Sequence, residues 1–326
     1  MPILLNRSFL LTTLTLLALI LTGCQRTPEA HPLLTLADQY PNAIVDTHIH
    51  FFEVTREGGV PWPPKGKTLY RDTLPADYKE VAEPLGIISS GIVEASNLHR
   101  DNLWVADLIE GDDYFPFFVA RLPIGAPEFL SQLDELMARE KFVGIRGWLG
   151  DQETINDQQF EHLQILSDRG LTLDLLSRGN LHPKLKIHKL AQRLPQLRII
   201  INHLAGAKGE RVDPQWEKEM ALLASNPNVY MKFSSFCDMF NTGSDDTNPW
   251  DSRKDLAAYV DHFWVLMKTF GPDRLIWGSN WPVPEMSGGI AQQVSLAEEF
   301  LEPLGKEVRD KVMYRNALTF YQRQAL

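Results

Sequence analysis

The stretch LIWGSNWPV (275–283) reads as a buried strand that runs into a turn. Leu275, Ile276 and Trp277 form a short apolar run, which Gly278, Ser279, Asn280 and Pro282 stop. A strand that ends this way delivers one polar side chain to a pocket, and here that side chain is Asn280. An amide can ligate a cation and can donate or accept a hydrogen bond. It does not take a proton near neutral pH. A catalytic strand end would more simply carry a carboxylate, so the amide needs a reason.

Seven comparable runs precede this one. They are AIVDTHIH (43–50), IISSGIVEA (87–95), FPFFVARLP (115–123), FVGIRGW (142–148), LTLDLLS (171–177), LRIIINH (197–203) and VYMKFSS (229–235). Amphipathic segments lie between them. In 253–270 the apolar Leu256, Tyr259, Val260, Phe263, Met267 and Phe270 recur at helical spacing, and Gly271 and Pro272 end the segment. Gly170 ends the 160–169 segment in the same way. Eight strands alternating with helices predict a parallel sheet, and eight units predict closure into a single-domain α/β (β/α)8 TIM barrel. The competing doubly wound sheet would place a Gly-rich phosphate loop after the first strand, and none is there.

Barrel chemistry sits at the C-terminal strand ends. The first strand ends in DTHIH, and strand alternation predicts Asp46, His48 and His50 on one face. Two imidazoles at that spacing can converge on one metal ion, and two ordinary histidines, one paired with Asp46, are the alternative. His203 ends the sixth strand and is placed to face them. Glu94 ends the second strand, where a carboxylate is costly unless paired or ligating. Arg146, Asp174 and Lys232 sit on the fourth, fifth and seventh strands among apolar neighbours. Structural ion pairs, Arg146 with Asp174 or Lys232 with Glu94, are as consistent with these positions as catalysis is. His162, His188 and His262 fall in helical patterns and read as packing residues. His99 and His182 lie in loops within reach of a pocket. The Trp- and Pro-rich loop GVPWPPKGKTLYR (59–71) reads as a wall of that pocket or a cover for the barrel mouth.

The N-terminus carries a processing signal. Arg7 is the only charged residue before an apolar run (9–21) too short to span a bilayer, and LTGC (21–24) follows. This pattern resembles a bacterial lipoprotein signal, with cleavage after residue 23 and lipid on Cys24. Residues 24–42 then form a tether, and 43–326 the barrel domain. Lipid on Cys24 would hold the chain in the cell envelope and leave Cys237 without an intrachain partner. The formal net charge of −10 over 326 residues argues against a nucleic-acid partner.

The segments IVDTHIHFFE, IVEASN, RDNLWVADL, VGIRGW, RIIINHLAG, NVYMKFSSF and FGPDRLIWGSNWPV together resemble the amidohydrolase-related TIM-barrel hydrolases, in the branch of the sugar lactonases. The resemblance implies a distorted barrel that opens a small-molecule lactone by metal-assisted water attack. It places His48, His50 and His203 on metal-ligand or substrate-polarising positions, with one divalent ion, zinc, as the expected cofactor. Some lactonases of this kind work without metal. Asn280 stands where many members carry an aspartate that binds metal and takes the proton of the attacking water. Glu94 is then the expected base, Asn280 and His203 share the catalytic positions, and Arg146, Asp174 and Lys232 are expected to meet substrate. Two other activities remain compatible: metal-dependent decarboxylation of an aromatic or unsaturated acid, and ligand binding without catalysis by a lipid-tethered barrel.

Overall fold

A computed structural model describes residues 39–177, 183–241 and 253–322. Cys24 and His182 lie outside the described residues. Eight parallel strands pair in chain order: β1 Ile44–Ile49, β2 Ile87–Val93, β3 Phe117–Arg121, β4 Phe142–Gly147, β5 Thr172–Leu176, β6 Arg198–Asn202, β7 Val229–Ser234 and β8 Leu275–Gly278. The chain is a (β/α)8 barrel of one domain. All eight strands fall within the runs expected from sequence. The β1–β8 seam is closed by few bonds. His50 N donates to the Trp281 carbonyl at 2.8 Å, and Asn280 N donates to the His48 carbonyl at 2.8 Å. Thr47 Oγ1 adds a 2.7 Å bond to the Trp277 carbonyl. The seam therefore runs through the residues singled out for chemistry, so site and closure depend on each other.

Alternation along the strands sorts the core into two layers. Ile199, Ile201, Leu275 and Trp277 face the surrounding helices, whereas Ile200 and Ile276 face the barrel interior. The interior is closed at the bottom by the C-terminal segment. Tyr314, Leu318, Phe320 and Tyr321 pack there with Val45, Val119 and Ile200. Tyr321 stacks on Phe117 with ring centroids 4.5 Å apart. The top is left for the site.

One expectation fails on β1. Asp46 does not share a face with His48 and His50. A register irregularity lies between Asp46 and Ile49, and it breaks the two-residue alternation. The Asp46 carboxylate turns to the seam. It accepts from Tyr78 Oη at 2.9 Å, from Ser279 N at 2.8 Å and from His48 N at 3.1 Å. It is a brace between β1, β8 and the helix Pro75–Ala82.

Candidate active site at the barrel mouth

A cavity of about 350 Å³ opens at the C-terminal strand ends. His50, Arg146, His203 and Asn280 line it. Trp62, Pro63, Pro64, Lys67 and Leu69 of the loop after β1 also face it, so that loop walls the pocket. The Trp62 ring meets His50 edge to face at 5.5 Å and Phe52 at 5.3 Å, which anchors the loop to the strand that carries the histidines.

Three successive strand ends reach the cavity through left-handed backbone. After β6, His203, Leu204 and Ala205 have φ of 56°, 51° and 50°, and Gly206 follows at 75°. After β7, Ser235 has φ 54°, and after β8, Asn280 has φ 68°. Each non-glycine residue in this region costs roughly 1–2 kcal/mol, and asparagine tolerates it better than most. Such strain persists where the surroundings over-determine it, and function is the common reason. The Asn280 amide nitrogen donates to Ser235 Oγ at 2.8 Å, and its oxygen lies 3.1 Å from His50 Nε2. The amide nitrogen ties the end of β8 to that of β7, and the amide oxygen faces the histidine of β1. A carboxylate has no proton to donate to Ser235.

The three histidines crowd together. Ring centroids of His48 lie 4.9 Å from His50 and 4.5 Å from His203. Burial, with the Arg146 guanidinium beside it, brings the pKa of His50 down to about 3. Burial, followed by Lys232 and His203, pushes His48 well below the usual histidine range. Both rings are therefore neutral at pH 7. His50 Nδ1 lies 2.6 Å from the Val93 carbonyl and so carries the proton. Its Nε2 then presents a lone pair to the Asn280 oxygen, acceptor against acceptor. Rotating the amide removes the conflict, and so does a cation shared by the two atoms. His48 Nε2 is buried with no hydrogen-bond partner. These atoms suit a divalent cation. Among the described residues no three His, Cys, Asp or Glu side chains are grouped tightly enough to form a ready-made metal cluster, although the rings of His48, His50 and His203, the ligand set expected from sequence, lie side by side. His203 Nδ1 is 2.9 Å from Ser234 Oγ.

Asp174 and Lys232, expected from sequence to meet substrate, are fully buried and do not line the cavity wall. Lys232 Nζ donates to Asp174 Oδ2 at 2.9 Å and to the Thr47 carbonyl at 3.0 Å, and stands 3.4 Å from His48 Nδ1. Tyr321 Oη donates to the same Asp174 oxygen at 2.9 Å. Of the ion pairs weighed from sequence, neither forms as drawn: Lys232 meets Asp174, across β6. The pair supports the floor on which His48 rests. Alternation sent both inward, but the sequence carried no signal for how deep the plug at Tyr321 comes.

Glu94 is also placed off the cavity wall. Its carboxyl lies in a small adjoining void with Ser96, Asp101 and Arg56, behind Ala95 and Trp62. Oε1 accepts from Ser96 N at 2.6 Å, and Oε2 has no partner. Burial raises its pKa from the ordinary 4.5 to about 7. Between those values the folded protein holds a proton that the unfolded chain has lost. Stability therefore falls as pH rises through this window, by on the order of 3 kcal/mol in all, and is flat above it. Glu94→Gln keeps the oxygen that accepts from Ser96 and has no charge to desolvate. Urea unfolding of both proteins from pH 4.5 to 8 should show the variant gaining on the wild type as pH rises. Parallel curves would mean that Glu94 ionises normally.

The other histidines behave as packing residues. His162 stacks on Phe129 at 4.2 Å and accepts from Gly125 N. His188 meets Asn226, and His262 packs against Trp216. His99 pairs with Glu135 outside the cavity. Reasoning from sequence missed Arg121 and Lys67, which line the cavity. Arg121 ends β3 inside the run FPFFVARLP, and its position as the only charge in that run was the available signal.

Residues 45–323 match the sequence profile of the amidohydrolase family. The chain is 27% identical over 290 residues to an L-fucono-1,5-lactonase of Burkholderia ambifaria, covering 85% of this chain and 95% of that protein. It is 27% identical over 191 residues to an L-rhamnono-gamma-lactonase of Scheffersomyces stipitis, covering 52% and 54% of the two. The fold matches a crystal structure of a Burkholderia multivorans amidohydrolase with bound zinc, at TM-score 0.71 and 20% identity, over 86% of this chain and 99% of that one.

Proposed function

Because this chain belongs to the amidohydrolase family, we propose that it is a hydrolase that opens a lactone ring at the mouth of its barrel. The observation that carries the reading is the cavity itself. It gathers His203, Asn280, the Arg146 guanidinium and a neutral His50 around about 350 Å³, room for a sugar-sized ring. The two lactonase relatives support the choice of a cyclic ester.

His203 is the base in this scheme. Ser234 Oγ directs its own proton to the Lys232 carbonyl at 3.4 Å and so accepts from His203 Nδ1, an assignment that puts the ring proton on Nδ1 and the lone pair on Nε2. His203 takes a proton from water as the oxygen attacks the lactone carbonyl carbon. Arg146 meets the negative charge that develops on the carbonyl oxygen. The ring carbon–oxygen bond then breaks, and His203 returns the proton to the departing oxygen. The product is a hydroxy acid that ionises in water. Asn280 orients water or substrate through its amide. Lactones open more readily than amides hydrolyse, so a neutral amide in place of a carboxylate asks little of the chemistry.

His48 Nε2, His50 Nε2 and the Asn280 oxygen would hold a divalent cation, and the zinc-bound neighbour supports zinc as the first to test. When bound, it would supply Lewis acidity to the carbonyl or to water. The N-terminal pattern further supports attachment to the cell envelope through lipid on Cys24.

The decisive experiment takes the full chain from the membrane fraction of an expressing bacterium. Intact mass reads acylation at Cys24, elemental analysis reads metal, and a panel of sugar lactones is scored by proton release. Ring opening with one proton released per turnover is expected. Release of CO₂ from an aromatic acid would favour a decarboxylase instead. Ligand bound unchanged over long incubation with zinc would make this a binding protein. An intact Met1 would end the lipid reading.

A further inference from the structure

The cavity carries more positive charge than ring opening requires. Besides Arg146, it is lined by Lys67 from the loop after β1 and by Arg121 from the end of β3. Asp238 is the only carboxylate on its wall among the described residues. Both extra cations are half-buried. Lys67 Nζ has no hydrogen bond or ion pair among the described residues. Arg121 gives one N–H to the Ala95 carbonyl at 2.7 Å and has no carboxylate in ion-pair contact. The carboxyl that acts on it through space is Glu94, itself pushed up to about 7 by burial.

Half-buried cations that face a cavity and have no carboxylate partner are available to receive an anionic group of a ligand. Arg121 retains four N–H donors in a planar fork, which matches a carboxylate. The two residues come from separate elements, yet both face the cavity that holds the reacting groups. Arg146 stands beside His50, deep in that cavity, and so is assigned to the carbonyl.

We infer that the substrate is an anionic lactone, one whose ring bears an ionised carboxylate that Lys67 and Arg121 receive, and not a neutral sugar lactone. This rests on the lactonase reading and deepens it. The relatives named for L-fucono- and L-rhamnono-lactones need not share the preference, since Lys67 lies in a loop and loops set specificity on this fold.

The test compares D-glucono-1,4-lactone with D-glucaro-1,4-lactone, which differ in an exocyclic CH₂OH against COO⁻. The full-length protein should prefer the carboxylated ring by at least 10-fold in kcat/KM. Arg121→Met should cut that preference by about 10- to 100-fold, the range for a hydrogen bond to a charged group, and Lys67→Met by less. Arg121→Lys should keep part of it. The loss should appear in KM more than in kcat. Calorimetric titration with D-glucarate and D-gluconate reads the same discrimination without turnover, and thermal melts of each variant check folding. Should no lactone be opened, the lactonase reading fails, and the titration still judges the anion site. Tighter glucarate binding that falls in Arg121→Met and, by less, in Lys67→Met supports it. Equal binding of the two acids, or equal turnover of the two lactones, overturns it.

Discussion

His203→Asn should lower kcat on the preferred lactone by about 100- to 10,000-fold, the range for losing a positioned general base. Asparagine is chosen because position 203 has φ 56°, where asparagine is among the few side chains that fit without added strain. It can still reach Ser234, so the left-handed turn His203–Gly206 should form and melting should change little. What disappears is the one cavity-lining nitrogen assigned to move a proton. A stopped-flow pH indicator assay under saturating substrate separates this from weaker binding. A rate within 10-fold of wild type would remove His203 from the proton path. Glu94, behind Trp62 and Ala95, would then have to be reached by a movement of the 59–71 loop, and Glu94→Gln would become the variant that loses activity.

Lys232→Met should destabilise the fold by about 3–5 kcal/mol, because it leaves Asp174 buried without its counter-charge. Lys232 and Asp174 are both inaccessible to solvent and lie 2.9 Å apart. The lysine also ties β7 to β1 through the Thr47 carbonyl. Burial lowers its pKa, and Asp174 is the main force opposing that fall. Replacing both, as Lys232→Met with Asp174→Asn, removes the stranded charge and leaves an acceptor for Tyr321, so most of the lost stability should return. Urea unfolding monitored by tryptophan fluorescence gives the double-mutant cycle. If Lys232→Met unfolds like the wild type yet loses activity, the lysine belongs to catalysis and the floor account is wrong.

These two variants separate what faces the cavity from what holds the floor, whereas sequence alone placed both residues at the barrel mouth. His203 and Lys232 were both polar side chains on barrel strands. Alternation says which way such a side chain points across a sheet, not how far along the barrel axis it stops. Depth is set by the plug that Tyr314, Leu318 and Tyr321 build from the other end, by contacts well over a hundred residues apart in the chain. The same limit applies to Glu94. Its position at the end of β2 was correct, but the Trp62 loop folds between it and the cavity.

The barrel and its mouth were readable from the order of the residues. Eight apolar runs at regular spacing, broken by Gly and Pro, admit few other arrangements of parallel strands, and polar residues at their C-terminal ends are costly anywhere but in a site. His50, Arg146, His203 and Asn280 were legible on those grounds, and so was the 59–71 loop as a wall. The turns were not readable that way, because contacts between distant strands set them. Asp46 left the histidine face because of an irregularity in β1 pairing, which no periodicity records. His203, Ser235 and Asn280 reach inward on left-handed backbone that no side-chain pattern announces. The amide at 280 has its physical reason there: it tolerates that backbone, and it donates to Ser235 while its oxygen faces His50. Local chemistry is written residue by residue, whereas the donor, the acceptor and the cation that meet in one cavity come from strands brought together only by closure.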